Sequence, residues 1–300
     1  MPVLNEPIVF IGSGPVAAES LRLLMQDFTI EAVITKPRPE GHKGSVPVLE
    51  LCEQENLTYF TATNKQSLDE LFASRPVKSR LAILIDFGII VSQDVIDYFE
   101  LGIINSHFSL LPQWRGADPI TFSILSGQKT TGVSLMMLTA GMDEGPILAY
   151  GEYELSDSVT TPALTDALIK LSASLLSHVV PIYVSGQAVP SQQTEDSVSY
   201  SRKLSKTDSI LDFTKSAVVL EREIRAFIEW PRSRTKIGDT DVIITKAHVV
   251  DGSGESGKIW HQDKQFGFYT SDGVLVIDEL IPAGKKPMPA SAFLAGYSLT

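Results

Sequence analysis

The most constraining feature of this sequence is the alternation of short apolar runs with helical patterns across its first half. Ile8 to Gly12 reads as a strand, Ala17 to Gln26 as an amphipathic helix, and Glu31 to Thr35 as a second strand. Val48 to Glu55 is helical, Thr58 to Thr61 a short strand, and Ser67 to Ala73 another helix. Leu81 to Phe87 is almost continuously apolar, the pattern of a strand covered by helices on both faces. Ile103 to His107, a helix near Pro119 to Leu125, and a strand Gly132 to Leu138 follow. A return strand near Ile147 to Tyr153 and a long helix Thr161 to Val180 complete the series. Such alternation predicts an α/β domain built on a mostly parallel sheet.

From Tyr183 to Ser209 the texture turns polar and turn-rich, as in Ser185-Gly-Gln-Ala-Val-Pro190, which reads as a linker. A helix over Thr214 to Phe227 then repeats Ala217, Leu220, Ile224 and Phe227 on one face. Beyond Pro231 come short strands separated by Gly/Asp turns: Val242–Thr245, His248–Val250, Gly257–Trp260, Gly267–Tyr269 and Val274–Leu280. They predict a small β-barrel domain. The 300 residues therefore divide into an expected catalytic-size domain over 1–184, a linker over 185–205, and a small β domain over 206–300.

Composition narrows the class. With 43% hydrophobic and 20% charged residues the chain can bury a core, which excludes wholesale disorder. The formal charge of −11 is uneven: residues 1–205 carry −10 and residues 206–300 carry −1. In the latter, Arg222, Arg225, Arg232, Arg234 and Lys236 cluster, with Lys285-Lys286 as a second basic point. Solvated charge is the plain reading, but a local patch of this kind can meet phosphates on an acidic protein. A single cysteine, Cys52, excludes an internal disulfide and a cysteine-built zinc site, and fits a reducing compartment. The opening residues lack the basic region of a secretory leader. The longest apolar run, Leu81 to Val91, is short for a bilayer and carries Asp86. The expectation is a cytoplasmic protein without a membrane partner.

Gly12-Ser13-Gly14 after the first strand matches part of a dinucleotide-binding turn. The second strand, however, ends in Thr35-Lys36-Pro37 where an acidic residue would hold the ribose, and Pro15 sits in the turn. A tight strand-to-helix turn is the better reading.

Gly102-Ile-Ile-Asn105-Ser-His107-Phe-Ser-Leu-Leu-Pro112-Gln-Trp-Arg-Gly-Ala-Asp-Pro119 is the stretch that carries chemistry. Asn105 and His107 are two apart, so a strand sends both side chains to one face. They close a strand expected to be buried, at the sheet end where ligands bind in open α/β folds. The strand Gly132 to Leu138 runs into a Gly-rich loop that delivers Asp143, expected at the corresponding end of its own strand. Asn, His and Asp together suit acyl transfer to an amine: His107 as proton acceptor, Asp143 orienting it, and the Asn105 amide donating to an oxyanion. By spacing alone, a hydrogen-bonded structural histidine is the commoner reading. No G-x-S-x-G elbow is present, and the motif lacks a metal-ligand set.

Asn105-x-His107-x-Ser109-Leu-Leu-Pro112 followed by Arg115-Gly116-x-x-Pro119 resembles the signature of folate-dependent formyltransferases. Asp143, in Gly-Met-Asp-x-Gly, falls where that family has its catalytic aspartate. Further motifs place the chain nearest the branch acting on methionyl initiator tRNA: Tyr200-Ser-Arg-Lys203-Leu-Ser-Lys206, Leu220-Glu-Arg-x-Ile224-Arg-Ala-Phe227 with Trp230-Pro231, and Gly284-Lys-Lys-x-Met288.

The resemblance implies a Rossmann-like formyltransferase domain followed by an OB-like barrel that supports tRNA. It implies catalysis by Asn105, His107 and Asp143, and 10-formyltetrahydrofolate as formyl donor, with no metal. The folate would lie along Phe87, Gly88 and Ile89 and the turn Ser109, Leu110, Leu111 and Pro112. Initiator Met-tRNA would meet Arg38, Lys43, Arg222, Arg225, Lys285 and Lys286; a monomer is the default expectation, which the resemblance does not supply. Two features depart from the family pattern. The segment Lys36 to Pro47 is shorter and less basic than usual, and Thr139 and Phe87 stand where an acidic residue and a Tyr are common. An amino sugar nucleotide as acceptor, and a tRNA- or folate-binding protein without catalysis, are the competing readings.

Overall fold

The computed structural model describes residues 6–41 and 43–299. The opening residues 1–5, read above for a leader, lie outside the described residues, as do His42 and Thr300. Contacts divide the chain into two units. One holds the chain up to Pro119, Thr130–Glu154 and Thr165–Ser201; the other holds Ile120–Lys129, Leu155–Leu164 and the chain from Arg202 onward.

The first unit is built in the order β1 (Ile8–Gly12), α1 (Pro15–Leu24), β2 (Ile30–Thr35), α2 (Pro47–Gln54), β3 (Tyr59–Thr61), α3 (Lys65–Ala73) and β4 (Ala82–Ile85). Then come α4 (Gln93–Tyr98), β5 (Ile103–His107) and the two-residue β6 (Arg115–Gly116). The helix α5 (Pro119–Ser126), which beyond Pro119 belongs to the second unit, leads to β7 (Thr130–Met137), β8 (Ile147–Glu154), α6 (Thr161–Val184), whose first turn also belongs to the second unit, and β9 (Tyr200–Ser201). Seven strands form one sheet in the order β3-β2-β1-β4-β5-β7-β8. The first five are mutually parallel, as the alternation predicted, while β7 is antiparallel to β5, and β8 to β7.

Every residue of β1, β4 and β5 is buried; β1 and β4 therefore read as unbroken apolar runs, while β5 buries Asn105, Ser106 and His107. One core on the sheet joins Val9, Ile11, Ala32, Ile34, Leu84 and Ile103 to Leu68, Phe72, Val95 and Phe99. Phe72, Tyr98 and Phe99 pack edge to face within it, with centroids 5.0–5.5 Å apart. The helix α6 is long and apolar enough to span a bilayer by length and composition. Leu168, Ile169, Leu176, Val179 and Val180 on it are buried, so much of that apolarity serves the core.

Glycine explains the Gly12-Ser13-Gly14 turn without a nucleotide. A Cβ on Gly12 would stand 2.6 Å from the Ile85 carbonyl oxygen and 2.8 Å from Ala17 Cβ, and Gly14 has φ +91°. Ser13 Oγ donates to the Phe87 carbonyl at 3.0 Å, tying this turn to the loop after β4.

The second unit carries α7 (Ala217–Ala226), β10 (Arg234–Ile237), β11 (Thr240–Val250), β12 (Ile259–Gln262), β13 (Gln265–Tyr269), β14 (Val274–Pro282), β15 (Met288–Pro289) and α8 (Ala290–Gly296). Its strands form an antiparallel barrel-like sheet in the order β10-β11-β14-β13-β12, with β15 on β14. Ala217, Leu220 and Ile224 of α7 close its core against Val242, Ile244, Phe266, Phe268, Leu275 and Ile277. The two strands expected at 242–245 and 248–250 are one, β11, bent by register shifts at Lys246.

Candidate active site

The sheet register sets the site. Leu84 of β4 pairs with Asn105, and Ser134 of β7 pairs with His107. Asn105 and His107 therefore share a face, while Ser106 between them points oppositely and bonds Ser172 Oγ on α6 at 2.7 Å. Asn105 and His107 are 8% and 6% exposed, so both are polar groups withheld from bulk water.

One expectation about this neighbourhood is corrected. Because β7 is antiparallel to β5, its own C-terminal end at Met137 pairs with Ile104, toward the start of β5. Asp143 is thus not delivered at the corresponding end of adjacent parallel strands. The loop after β7 doubles back along the sheet face and brings Asp143 Oδ2 to 3.7 Å from His107 Nδ1. The same Oδ2 accepts the Gly116 backbone N–H at 2.7 Å, and Oδ1 accepts Asn105 Nδ2 at 3.4 Å. One carboxylate therefore holds Asn105 and the strand β6, and faces His107.

The other ring nitrogen fixes the tautomer. His107 Nε2 lies 2.9 Å from the Trp114 carbonyl oxygen. A carbonyl only accepts, so Nε2 carries its hydrogen, and Nδ1 is the atom that can take or release a proton. That atom faces Asp143.

The turn after β5 is braced from below. Ser134 Oγ donates to the Ser109 carbonyl at 2.6 Å and accepts the Leu111 N–H at 2.9 Å. Ser109 Oγ donates to the Gln113 carbonyl at 2.5 Å, and Tyr150 Oη donates to the Leu111 carbonyl at 3.0 Å. Ser109 and Leu111 are buried, and Leu111–Pro112 is cis. Phe87 is 2% exposed and Ile89 packs on the core beside it. The side chains of Phe87, Ile89, Ser109 and Leu111 are thus packed within the protein. Ile90 and Met142, in the loops after β4 and β7, are 76% and 64% exposed. Desolvation beside the Gly14 turn pushes the Asp86 carboxyl up, while Lys36 pulls it the other way.

The cations picked out in the sequence are placed unequally. Arg38 donates to the Gly44 carbonyl at 2.9 Å and pairs with Glu50 at 3.5 Å, folding its short loop on itself. Lys43 is exposed on that loop. In the second unit, Arg225 Nε and Nη2 pair with Glu221 at 2.6 and 2.9 Å while Nη1 donates to the Val159 carbonyl at 2.8 Å. The guanidinium of Arg222 lies over Gly127, where a Cβ would meet its Cζ at 2.1 Å. Lys285 and Lys286 are exposed between β14 and β15.

Two features were invisible in the spacing. The Gly116 N–H and Trp114 carbonyl are backbone groups, which no residue pattern reveals. Gln193, in the stretch read as linker, donates to the Asp143 and Gly145 carbonyls and accepts from Arg115.

Known proteins match this sequence over nearly the whole chain. Residues 8–180 match the formyl transferase family and residues 203–298 match the formyl transferase C-terminal domain. A methionyl-tRNA formyltransferase of Pseudoalteromonas translucida is 33% identical, with 97% of this chain and 94% of the relative covered. A second, from Myxococcus xanthus, is 32% identical with 97% and 95% covered. Among solved structures, the N-formyltransferase of Helicobacter canadensis, crystallised with folinic acid and dTDP-3-aminofucose, has the same fold. Its TM-score is 0.70 at 20% identity, with 91% of this chain and 98% of that one covered. With both of its halves matched in order, the chain belongs to the formyl transferase family.

Proposed function

We propose that this protein transfers a formyl group from 10-formyltetrahydrofolate to the α-amino group of methionine on initiator tRNA. The observation that carries the reading is the Asp143 carboxylate, which gathers Asn105 and the Gly116 N–H while facing His107 Nδ1. Likeness to methionyl-tRNA formyltransferases over 97% of the chain supports the acceptor. The folate supplies a formyl carbon on a nitrogen able to leave. It would be held by backbone along Phe87 to Ile89 and Ser109 to Pro112, with Ile90 and Met142 against the ring.

His107 Nδ1 takes the proton that the incoming ammonium must lose before it can attack. Asp143 stabilises the imidazolium so formed. The N–H groups of Asn105 and of protonated His107 then face the oxygen that becomes negative as the amine nitrogen bonds the formyl carbon. As the carbon–nitrogen bond to the folate breaks, His107 gives its proton to the leaving nitrogen, the attacking nitrogen releases its second proton to solvent as it becomes an amide, and the site returns to its starting state.

In this reading the first unit does the chemistry in the cytoplasm, as a monomer, and the barrel-like unit supports the tRNA. Lys285, Lys286 and Lys43 would attract phosphates; Arg225, tied at both ends of its guanidinium, would not. The self-closed Lys36 to Pro47 loop, with Arg38 bonded inward, favours one alternative acceptor, an amino sugar nucleotide.

The test is an assay of purified protein with 10-formyltetrahydrofolate and three acceptors: initiator Met-tRNA, elongator Met-tRNA and a nucleotide-linked amino sugar. Formylation of the initiator alone is expected. Formylation of the sugar alone would move the acceptor while leaving the chemistry in place.

A further inference from the structure

We infer that Gln193 is a positioning residue for formyl transfer, acting through Asp143; the inference rests on the catalytic reading of Asp143 and His107 above. Asp143 sits in a loop without regular structure between β7 and β8, at φ +51°, a left-handed conformation uncommon for a residue with a Cβ though Asp is among those that adopt it. The loop ends are fixed by the Leu138 N–H on the Ile103 carbonyl and the Met137 N–H on the Pro146 carbonyl, both 2.8 Å. Between those ends, Gln193 supplies the hold on its backbone.

The Gln193 amide is used completely. Its Nε2 donates to the Asp143 carbonyl at 2.8 Å and to the Gly145 carbonyl at 2.9 Å. Its Oε1 accepts from Arg115 Nη2 at 2.7 Å and Nε at 3.2 Å. Two donors and two lone pairs are all that a carboxamide has. Arg115 is 9% exposed, and its neighbour Gly116 donates its N–H to Asp143 Oδ2 at 2.7 Å. A closed ring results: Gly116 grips the carboxylate, Gln193 grips the backbone behind it, and Arg115 joins the two.

Gln193 is itself anchored by the chain around it. The Ser191 N–H and carbonyl pair with Ile147 at 2.8 and 2.7 Å. Further along, the Ser199 carbonyl accepts the Arg115 N–H at 2.9 Å, its Oγ accepts the Trp114 N–H at 3.0 Å, and β9 pairs with β6. The polar segment read as a linker is therefore a strap laid along the site, and Gln193 is where it meets the reacting carboxylate. Misplacing a reacting group by about 1 Å can cost on the order of a hundredfold in rate.

The experiment measures single-turnover formylation and folate binding for Gln193→Ala, Gln193→Glu, Asp143→Asn and the double variant Gln193→Ala/Asp143→Asn. Gln192→Ala, an exposed neighbour, is the control expected to match the parent. Gln193→Ala should lower the rate about tenfold to a hundredfold while folate affinity stays within about twofold. Gln193→Glu keeps the bulk and the Arg115 contact but loses both donors, so it should be equally slow in a folded protein. In the Asp143→Asn background, removing Gln193 should cost less than about threefold more, because the carboxylate it positions is already gone. Parent-like rates in both Gln193 variants, or a full additive loss in the double variant, would overturn the inference while leaving the catalytic reading intact. A fully active Asp143→Asn protein would instead remove the catalytic reading itself.

Discussion

Around Asp143, β5 and β6 donate to one partly buried carboxylate and the 191–201 strap donates to the backbone behind it, whereas Lys285 and Lys286 stand exposed on a turn. The contrast follows from what each region must do. Moving a proton and holding an oxyanion demand positions fixed to fractions of an ångström before substrate arrives. Attraction of a cation to phosphate falls only slowly with distance and tolerates loose side chains. Arg225 shows that a cation on the second unit need not be a binding group. Its three bonds to Glu221 and Val159 make it an internal tie of that unit.

Three substitutions would sharpen or break this contrast. The largest effect is expected for Asn105→Ala, which removes the oxyanion donor: formylation should fall roughly 10²–10³-fold with the fold intact, read by single-turnover kinetics. Next is Arg225→Ala. It should destabilise the protein by about 1–2 kcal/mol in denaturant unfolding, by leaving Glu221 and the Val159 carbonyl without their partner. Its effect on tRNA affinity should be no more than about twofold in a binding titration. A large affinity loss without a stability loss would return Arg225 to the binding surface. The smallest effect is expected for the Lys285→Ala/Lys286→Ala pair, with unfolding unchanged. tRNA affinity should drop several-fold at low salt, and the salt dependence should flatten by about one unit of log–log slope per lysine. An unaltered slope would place the phosphate contacts elsewhere.

The parts of the fold legible in the sequence are those where burial dictates composition. The strand at Ile8–Gly12 is legible to the residue because all five positions are buried and its composition is apolar throughout. The direction of β7 was not legible, since an eight-residue buried strand reads the same parallel or antiparallel. The helix α4 escaped notice because six residues are too few for a period. The edge strand Arg234–Ile237 was hidden by its own charges, and β11 looked like two strands because a bulge at Lys246 breaks its alternation.

The site was legible to the same degree. Asn105, His107 and Asp143 were found and do converge, because two lie on one strand face and the third in a Gly-rich loop beside it. Gly116 and Trp114 contribute backbone, which any residue could supply. Gln193 lies fifty residues beyond Asp143 in a stretch whose polarity is that of a linker, so only the fold brings the two together.

The most direct measurement is single-turnover formylation of initiator Met-tRNA by His107→Ala beside the parent protein, with folate binding measured on both. Loss of at least about 10³-fold in rate with folate affinity retained is the predicted result. A variant that formylates at the parent rate would contradict the account, because it would leave the Asp143-centred geometry without a reaction to serve.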